Sequence, residues 1–158
     1  MKKVFLSLPM KGRTDEAIQE TITKMEDFVK IFYPNETIEF MHNFNPLITK
    51  EIERINASQP NMIKKEPLWY LSYAIKQMAQ CDIFVQIDDY IGEWNYKGVI
   101  AECQLARDYG IKILKLPDND GYFLPDIKAE ADEAASKFRE PAPNKGRDVS
   151  NAPSVGIK

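Results

Sequence analysis

One stretch, Cys81 to Leu116 (CDIFVQIDDYIGEWNYKGVIAECQLARDYGIKILKL), constrains the fold of this chain more than any other. The apolar run Ile83 to Ile87 has the length of a strand and is closed by Asp88 and Asp89. A loop with Trp94, Tyr96 and Lys97 follows. Gly98 is expected to open a helix, with Glu102 on its first turn and Gly110 as its C-terminal stop. Ile111 to Leu116 is a second apolar run of strand length. Strand, helix and strand at this spacing imply a right-handed crossover between neighbouring parallel strands. Ligands of such sheets bind beyond the carboxyl ends of the strands. Asp88, Asp89, Trp94 and Glu102 are therefore expected at one mouth.

The residues before this unit extend the same pattern. Lys3 to Leu8 reads as the first strand, and Pro9 and Gly12 mark a turn after it. Thr14 is a helix cap with Asp15 and Glu16 behind it. Ile18, Ile22, Met25, Val29 and Phe32 form one helical stripe, ended by Pro34 and Asn35. Thr37 to Met41 alternates as a second strand. The fold class is α/β, with a parallel sheet. Ser7, Lys11, Gly12 and Arg13 lie just ahead of a helix N-terminus, an arrangement that suits an anion. They equally suit a plain tight turn with solvated Lys11 and Arg13.

His42 to Glu66 is a polar insert with a short helix from Thr49 to Ile55, and reads as a lid, an interface or a mobile loop. His42 ends the second strand and is a minor candidate for the same mouth. Pro67 suits the first turn of another helix, with Leu68, Leu71, Ile75 and Met78 as its buried stripe and Trp69, Tyr70 and Tyr73 around it. The character of the chain changes after Leu116. We expect one domain over 1–117, a connector and short helix over 118–139, and a flexible tail over 140–158.

Composition excludes several classes. The chain has 158 residues, enough for one core, with 44% apolar and 28% charged residues. A net charge of -3 speaks against a nucleic-acid-binding face. No apolar run approaches the roughly 20 residues of a membrane helix, and the run after Lys2 and Lys3 is too short for a signal-peptide core. A cytoplasmic protein with no membrane partner is expected. Cys81 and Cys103 give no disulfide framework, and the single histidine makes a metal site improbable. No cofactor is expected.

Two stretches, VFLSLPMKGRTDEAI and PLWYLSYAIKQMAQCDIFVQIDDYIGEWNYKGVIAECQLARDYGIKI, resemble the nucleoside 2-deoxyribosyltransferase-like superfamily. Within it they are most similar to an uncharacterised bacterial and phage branch. Ser7, Pro9, Met10, Gly12, Trp94, Gly98 and Glu102 carry the resemblance. It implies a flavodoxin-like or Rossmann-like three-layer sandwich that acts on a nucleoside or nucleoside 5′-monophosphate. Glu102 would be the nucleophile toward the anomeric carbon, held ionised by the helix N-terminus. Asp88 or Asp89 would serve as acid or base. Trp94 or Tyr96 would stack on the base, and Gly98 would let the sugar approach the backbone. Ser7, Lys11, Gly12 and Arg13, with Pro9 and Met10 in the same turn, would cradle a phosphate. The resemblance also implies a homo-oligomer, with the helix from Leu68 to Met78 packing against its copy. Two acids of the transferases are replaced, one by Tyr96 and one at about Ser72. The alternative is therefore a catalytically inactive nucleotide-binding sensor or regulatory module. An interaction protein that uses the polar tail is a third reading.

Overall fold

The computed structural model describes residues 1–88, 96–118 and 120–138, so Asp89, Trp94 and the 140–158 tail lie outside the described residues. The chain divides into two compact units, Met1–Lys128 and Ala129–Lys158. The elements in order are β1 (Lys2–Ser7), α1 (Asp15–Phe32), β2 (Ile38–Met41), α2 (Pro46–Ser58), α3 (Glu66–Met78), β3 (Ile83–Asp88), α4 (Lys97–Asp108), β4 (Lys112–Pro117) and α5 (Pro125–Phe138). The first unit is a three-layer α/β sandwich around an all-parallel sheet of order β2-β1-β3-β4.

That order fixes where helices lie. The chain leaves β1 toward β2, then returns past β1 to β3 and continues outward to β4. Right-handed crossovers in opposite directions place their helices on opposite faces. The two cores agree. On one face Ile18, Ile22, Met25 and Val29 of α1 pack with Val4, Leu6, Ile83, Val85 and Ile87. On the other, Ala74 and Met78 of α3 and Cys103 and Ala106 of α4 pack on Phe5 and Phe84. The rings of Phe5 and Phe84 stack at 5.7 Å between centroids. Strand alternation places Ser7, Gln86 and Asp88 on the α3/α4 side. The point where the chain reverses its direction across the sheet lies between β1 and β3, and such a point is where ligands of α/β sheets bind.

Helix ends follow sequence signals. The Thr14 side chain accepts from Ala17 N at 3.1 Å, a cap that contributes about 1 kcal/mol. Gly110, at φ 68°, takes the left-handed conformation that stops α4.

Several expectations need correction. The insert after β2 holds a full helix, α2, rather than a short piece over 49–55. Asn45 caps it by accepting from Leu47 N, Pro46 sits in its first turn, and Ile48, Ile52 and Ile55 are buried. Phe32 is exposed, and the fully buried polar residue of the α1 face is Thr21. On α3 the buried positions are Ala74 and Met78, with Leu71 packed beside them, while Leu68 and Ile75 are exposed. Close packing of α3 on the sheet and against α4 selects the small Ala74 rather than the larger apolar neighbours. The first compact unit also runs beyond 117. Phe123, Leu124 and Ile127 join the α1-side core.

Arg13 explains part of that extension. Its side chain is 2% exposed and forks onto Asp126, with Nε donating to Oδ2 at 2.8 Å and Nη2 to Oδ1 at 2.9 Å. Arg13 also donates to the carbonyls of Pro9 at 2.8 Å and Ala17 at 3.2 Å, and to Thr21 Oγ1 at 2.7 Å. Thr21 in turn donates to the Phe123 carbonyl at 2.6 Å. Burial pushes the Asp126 carboxyl up, but the Arg13 hydrogen bonds and charge outweigh it and hold the group below its ordinary value. Breaking a buried ion pair costs about 3–5 kcal/mol. The Asp126 side chain is 35% exposed, so its share is smaller. Asp126→Ala is expected to lower stability by about 2 kcal/mol in urea unfolding. A midpoint unchanged from wild type would show that the other acceptors of Arg13 suffice.

Candidate functional site

The strand ends place three polar residues together. Ser7 ends β1, and its Cα partner on β3 is Gln86. Glu102 lies on α4, which covers the same face of the sheet. The Ser7 hydroxyl donates to Glu102 Oε1 at 2.6 Å, a bond that spans 95 positions of sequence. All three side chains are buried, with residue exposures of 1% for Ser7, 6% for Gln86 and 8% for Glu102. Gln86 Oε1 has no hydrogen-bond partner among the described residues.

Glu102 does not sit where the sequence suggests. Tyr96 is the N-cap of α4 and Lys97 its first residue, so Glu102 falls in the second turn and the first turn carries no acid. A second-turn amide is already bonded within the helix. The helix terminus therefore does not hold this carboxylate ionised. Burial pushes the carboxyl up from an ordinary 4.5 to about 7, and the Ser7 hydrogen bond pulls the other way without cancelling it. Near neutrality Glu102 is divided between its two protonation states.

Gly98 precedes Glu102 by one helical repeat and shares its side of α4. A Cβ at Gly98 would meet nothing within 4 Å among the described residues. The described residues leave the backbone at Gly98 open to close approach. Asp88 closes β3 and is exposed, in the alternation that puts Phe84 and Gln86 on the α4 face. Tyr96 is half-buried at the start of α4 and packs against the α1-side core. Asp89 and Trp94 fall outside the described residues.

Two of the expected anion ligands of the first loop have protein partners. Arg13 turns inward to Asp126, and Ser7 is committed to Glu102. Met10 O accepts from Arg13 N at 3.1 Å, and Gly12 has a φ of 78°, as the third residue of a type II turn requires. Pro9 is buried, Met10 packs against the core, and Lys11 is exposed. The tight-turn alternative fits Gly12, while the solvated Arg13 it assumed is replaced by a buried one. The reason is a long-range partner, Asp126, that no local pattern announces.

His42 lies just beyond β2, which β1 separates from β3. Burial lowers its pKa below 6.5, and its Nδ1 has no hydrogen-bond partner among the described residues. Phe40 packs with the α1-side core and Met41 with the α4-side core, so strand alternation turns His42 away from the face of the Ser7–Glu102 pair. Among the described residues no group of three or more His, Cys, Asp and Glu could hold a metal ion, and no helix is long and apolar enough to cross a membrane. Gln86 was missed by the sequence reading. A visible signal existed, since it is the one polar residue inside the run IFVQI.

No family model, curated protein or solved structure matches this chain.

The raised pKa of Glu102 has a stability consequence. The unfolded carboxyl ionises near 4.5, whereas the folded one keeps its proton to about 7. The stability linked to this group is full below pH 4.5 and is lost as pH rises to about 7. The loss is on the order of 3 kcal/mol. Glu102→Gln removes the titration, so its stability relative to wild type should grow between pH 5 and pH 8. Parallel urea curves of the two proteins at both pH values test this, and a constant difference would contradict the buried-carboxyl assignment.

Proposed function

We propose that the chain cleaves the N-glycosidic bond of a nucleoside or nucleoside 5′-monophosphate, with Glu102 as nucleophile, by deoxyribosyl transfer or by hydrolysis. One observation carries this reading. The two stretches that resemble the nucleoside 2-deoxyribosyltransferase-like superfamily meet in the buried Ser7–Glu102 hydrogen bond at 2.6 Å. The pair also lies at the reversal of strand order, where an α/β sheet offers its ligand site.

The residues suggest the following chemistry. Ser7 holds Oε1, which orients the carboxylate and favours its ionised form. Oε2 attacks the anomeric carbon on the face opposite the base. A C1′–O bond forms as the C1′–N bond breaks, and the electron pair leaves on the base nitrogen. That nitrogen takes a proton from Asp88, the described acid at the mouth, or from water. A second base, or water that gives up a proton, then attacks C1′ and returns the electron pair to Glu102. The positive charge that develops on the sugar favours the ionised carboxylate. The expected self-association belongs to the same reading, and α3 leaves Leu68 and Ile75 exposed for it.

Chromatography of free base from a panel of nucleosides and 5′-monophosphates, with and without an acceptor base, tests the proposal. Release should vanish in Glu102→Gln. In wild type it should rise with pH and level off above about 7, as the carboxylate forms. Ser7→Ala removes the bond that favours the ionised form, so its pH profile should move to higher pH and its rate at pH 7 should fall roughly tenfold. Nucleotide binding without any base release would instead support the sensor or regulatory reading.

A further inference from the structure

Gln86 is the residue of this face that the chemistry above does not use. It lies in register with Ser7 on the neighbouring strand, so their Cα atoms stand ~4.8 Å apart and their side chains share one face. It is 6% exposed, yet its side-chain carbonyl oxygen has no hydrogen-bond partner among the described residues. A buried acceptor left without a donor is costly, and such groups call for a specific account.

Ser7, Lys115 and Phe84, the described residues nearest to it along the strands, do not supply the donor. Ser7 has one hydroxyl proton, and it goes to Glu102. Lys115, the register partner on β4, is exposed. Phe84, two residues earlier on the same face, has no donor to give. By contrast, the other buried polar side chain of comparable depth with a hydroxyl, Thr21, is bonded to Phe123 and Arg13. The open acceptor stands next to Ser7, on the sheet face that α4 covers.

We infer that the Gln86 side-chain carbonyl accepts a hydrogen bond from the 2′-hydroxyl of a ribonucleoside or ribonucleotide whose anomeric carbon faces Glu102. The inference rests on the glycosidic reading and narrows its substrate class to ribosides, so that the group released or transferred is ribosyl and not deoxyribosyl. The stereochemistry follows from the attack. Glu102 approaches C1′ on the face opposite the base. In a ribonucleoside the 2′-hydroxyl projects from that same face, on the carbon next to C1′. An acceptor one strand from Ser7 meets it there. A 2′-deoxy sugar brings no donor, and an arabino sugar presents its hydroxyl on the other face. A site built to bond a substrate hydroxyl discriminates strongly against the analogue that lacks it.

The experiment compares ribo, 2′-deoxyribo and arabino forms of the same nucleosides and 5′-monophosphates. Wild type, Gln86→Met and a Glu102→Gln blank are assayed for base release. Wild type should favour the ribo form over both others by roughly tenfold or more in kcat/KM. Gln86→Met should bring the ratios to within about threefold. A wild type that treats ribo and deoxyribo forms alike overturns the inference without recourse to a variant. A folded Gln86→Met with unaltered ratios also overturns it, and leaves the glycosidic chemistry standing. If the pH profile of Gln86→Met moves while the sugar preference stays, Gln86 is a partner of the Glu102 carboxyl and not a reader of sugar. Base release absent from every substrate defeats the glycosidic reading instead. Thermal shifts with the same ribo and deoxyribo compounds then decide the inference, which stands on a ribo preference lost in Gln86→Met and falls otherwise.

Discussion

The hydrogen bond from Ser7 to Glu102 is the contact on which the candidate site depends, and it is possible only because of the order of the strands. β1 must end beside β3, and α4 must cross the face to which Ser7 points. A one-residue slip of β1 would turn Ser7 to the α1 side and bring Leu6 or Leu8 toward the carboxyl. The apolar alternation of Val4, Leu6, Ile83, Val85 and Ile87 against α1 prevents that slip. The geometry of a polar pair is thus enforced by the apolar core on the opposite face of the sheet.

Polar groups on the two faces are treated differently. On the α1 side, Arg13, Thr21 and Asp126 form a network in which one guanidinium reaches two carbonyls, a hydroxyl and a carboxylate. That network closes the first loop onto the start of α5 and has a structural role. On the α4 side, Ser7 and Glu102 are bonded to each other, while a carboxyl pushed up to about 7 and an open carbonyl share the same burial. Local cost of this kind is tolerated where a ligand completes the set, and the rest of the core offsets it.

Much of the framework is legible in the chain because it depends on local periodicity. The run IFVQI, the helix after it and the stop at Gly110 all appear as read, and so does the Thr14 cap. The failures share a cause, since each depends on a tertiary partner. Gly98 looks like a helix opener, but α4 starts at Lys97 and takes Glu102 into its second turn, away from the free amides. Arg13 looks like an anion ligand until Asp126, 113 positions away, claims it. Leu68 and Ile75 look like core at helical spacing, but close packing of α3 on the sheet selects Ala74. Asn45 and Pro46 did announce α2, yet the surrounding asparagines and prolines read as loop.

The misplaced helix start changes how a nucleophile in this position would work. A first-turn carboxylate would be ionised at rest and well solvated by amides, and correspondingly unreactive. In the second turn, Glu102 has little but the Ser7 hydroxyl to stabilise its charge, and so it keeps a proton to about 7. Its basicity is higher for the same reason, and the carboxylate that does form is poorly solvated. In the proposed reaction the charge it lacks would come from the sugar as the base departs, because an oxocarbenium-like centre beside Oε2 would stabilise the carboxylate far better in a buried site than in water. Burial disfavours the ion in the resting protein, and in the proposed reaction it would strengthen the interaction with the transition state. That difference between the two states, rather than a permanently ionised resting group, is what accelerates a reaction.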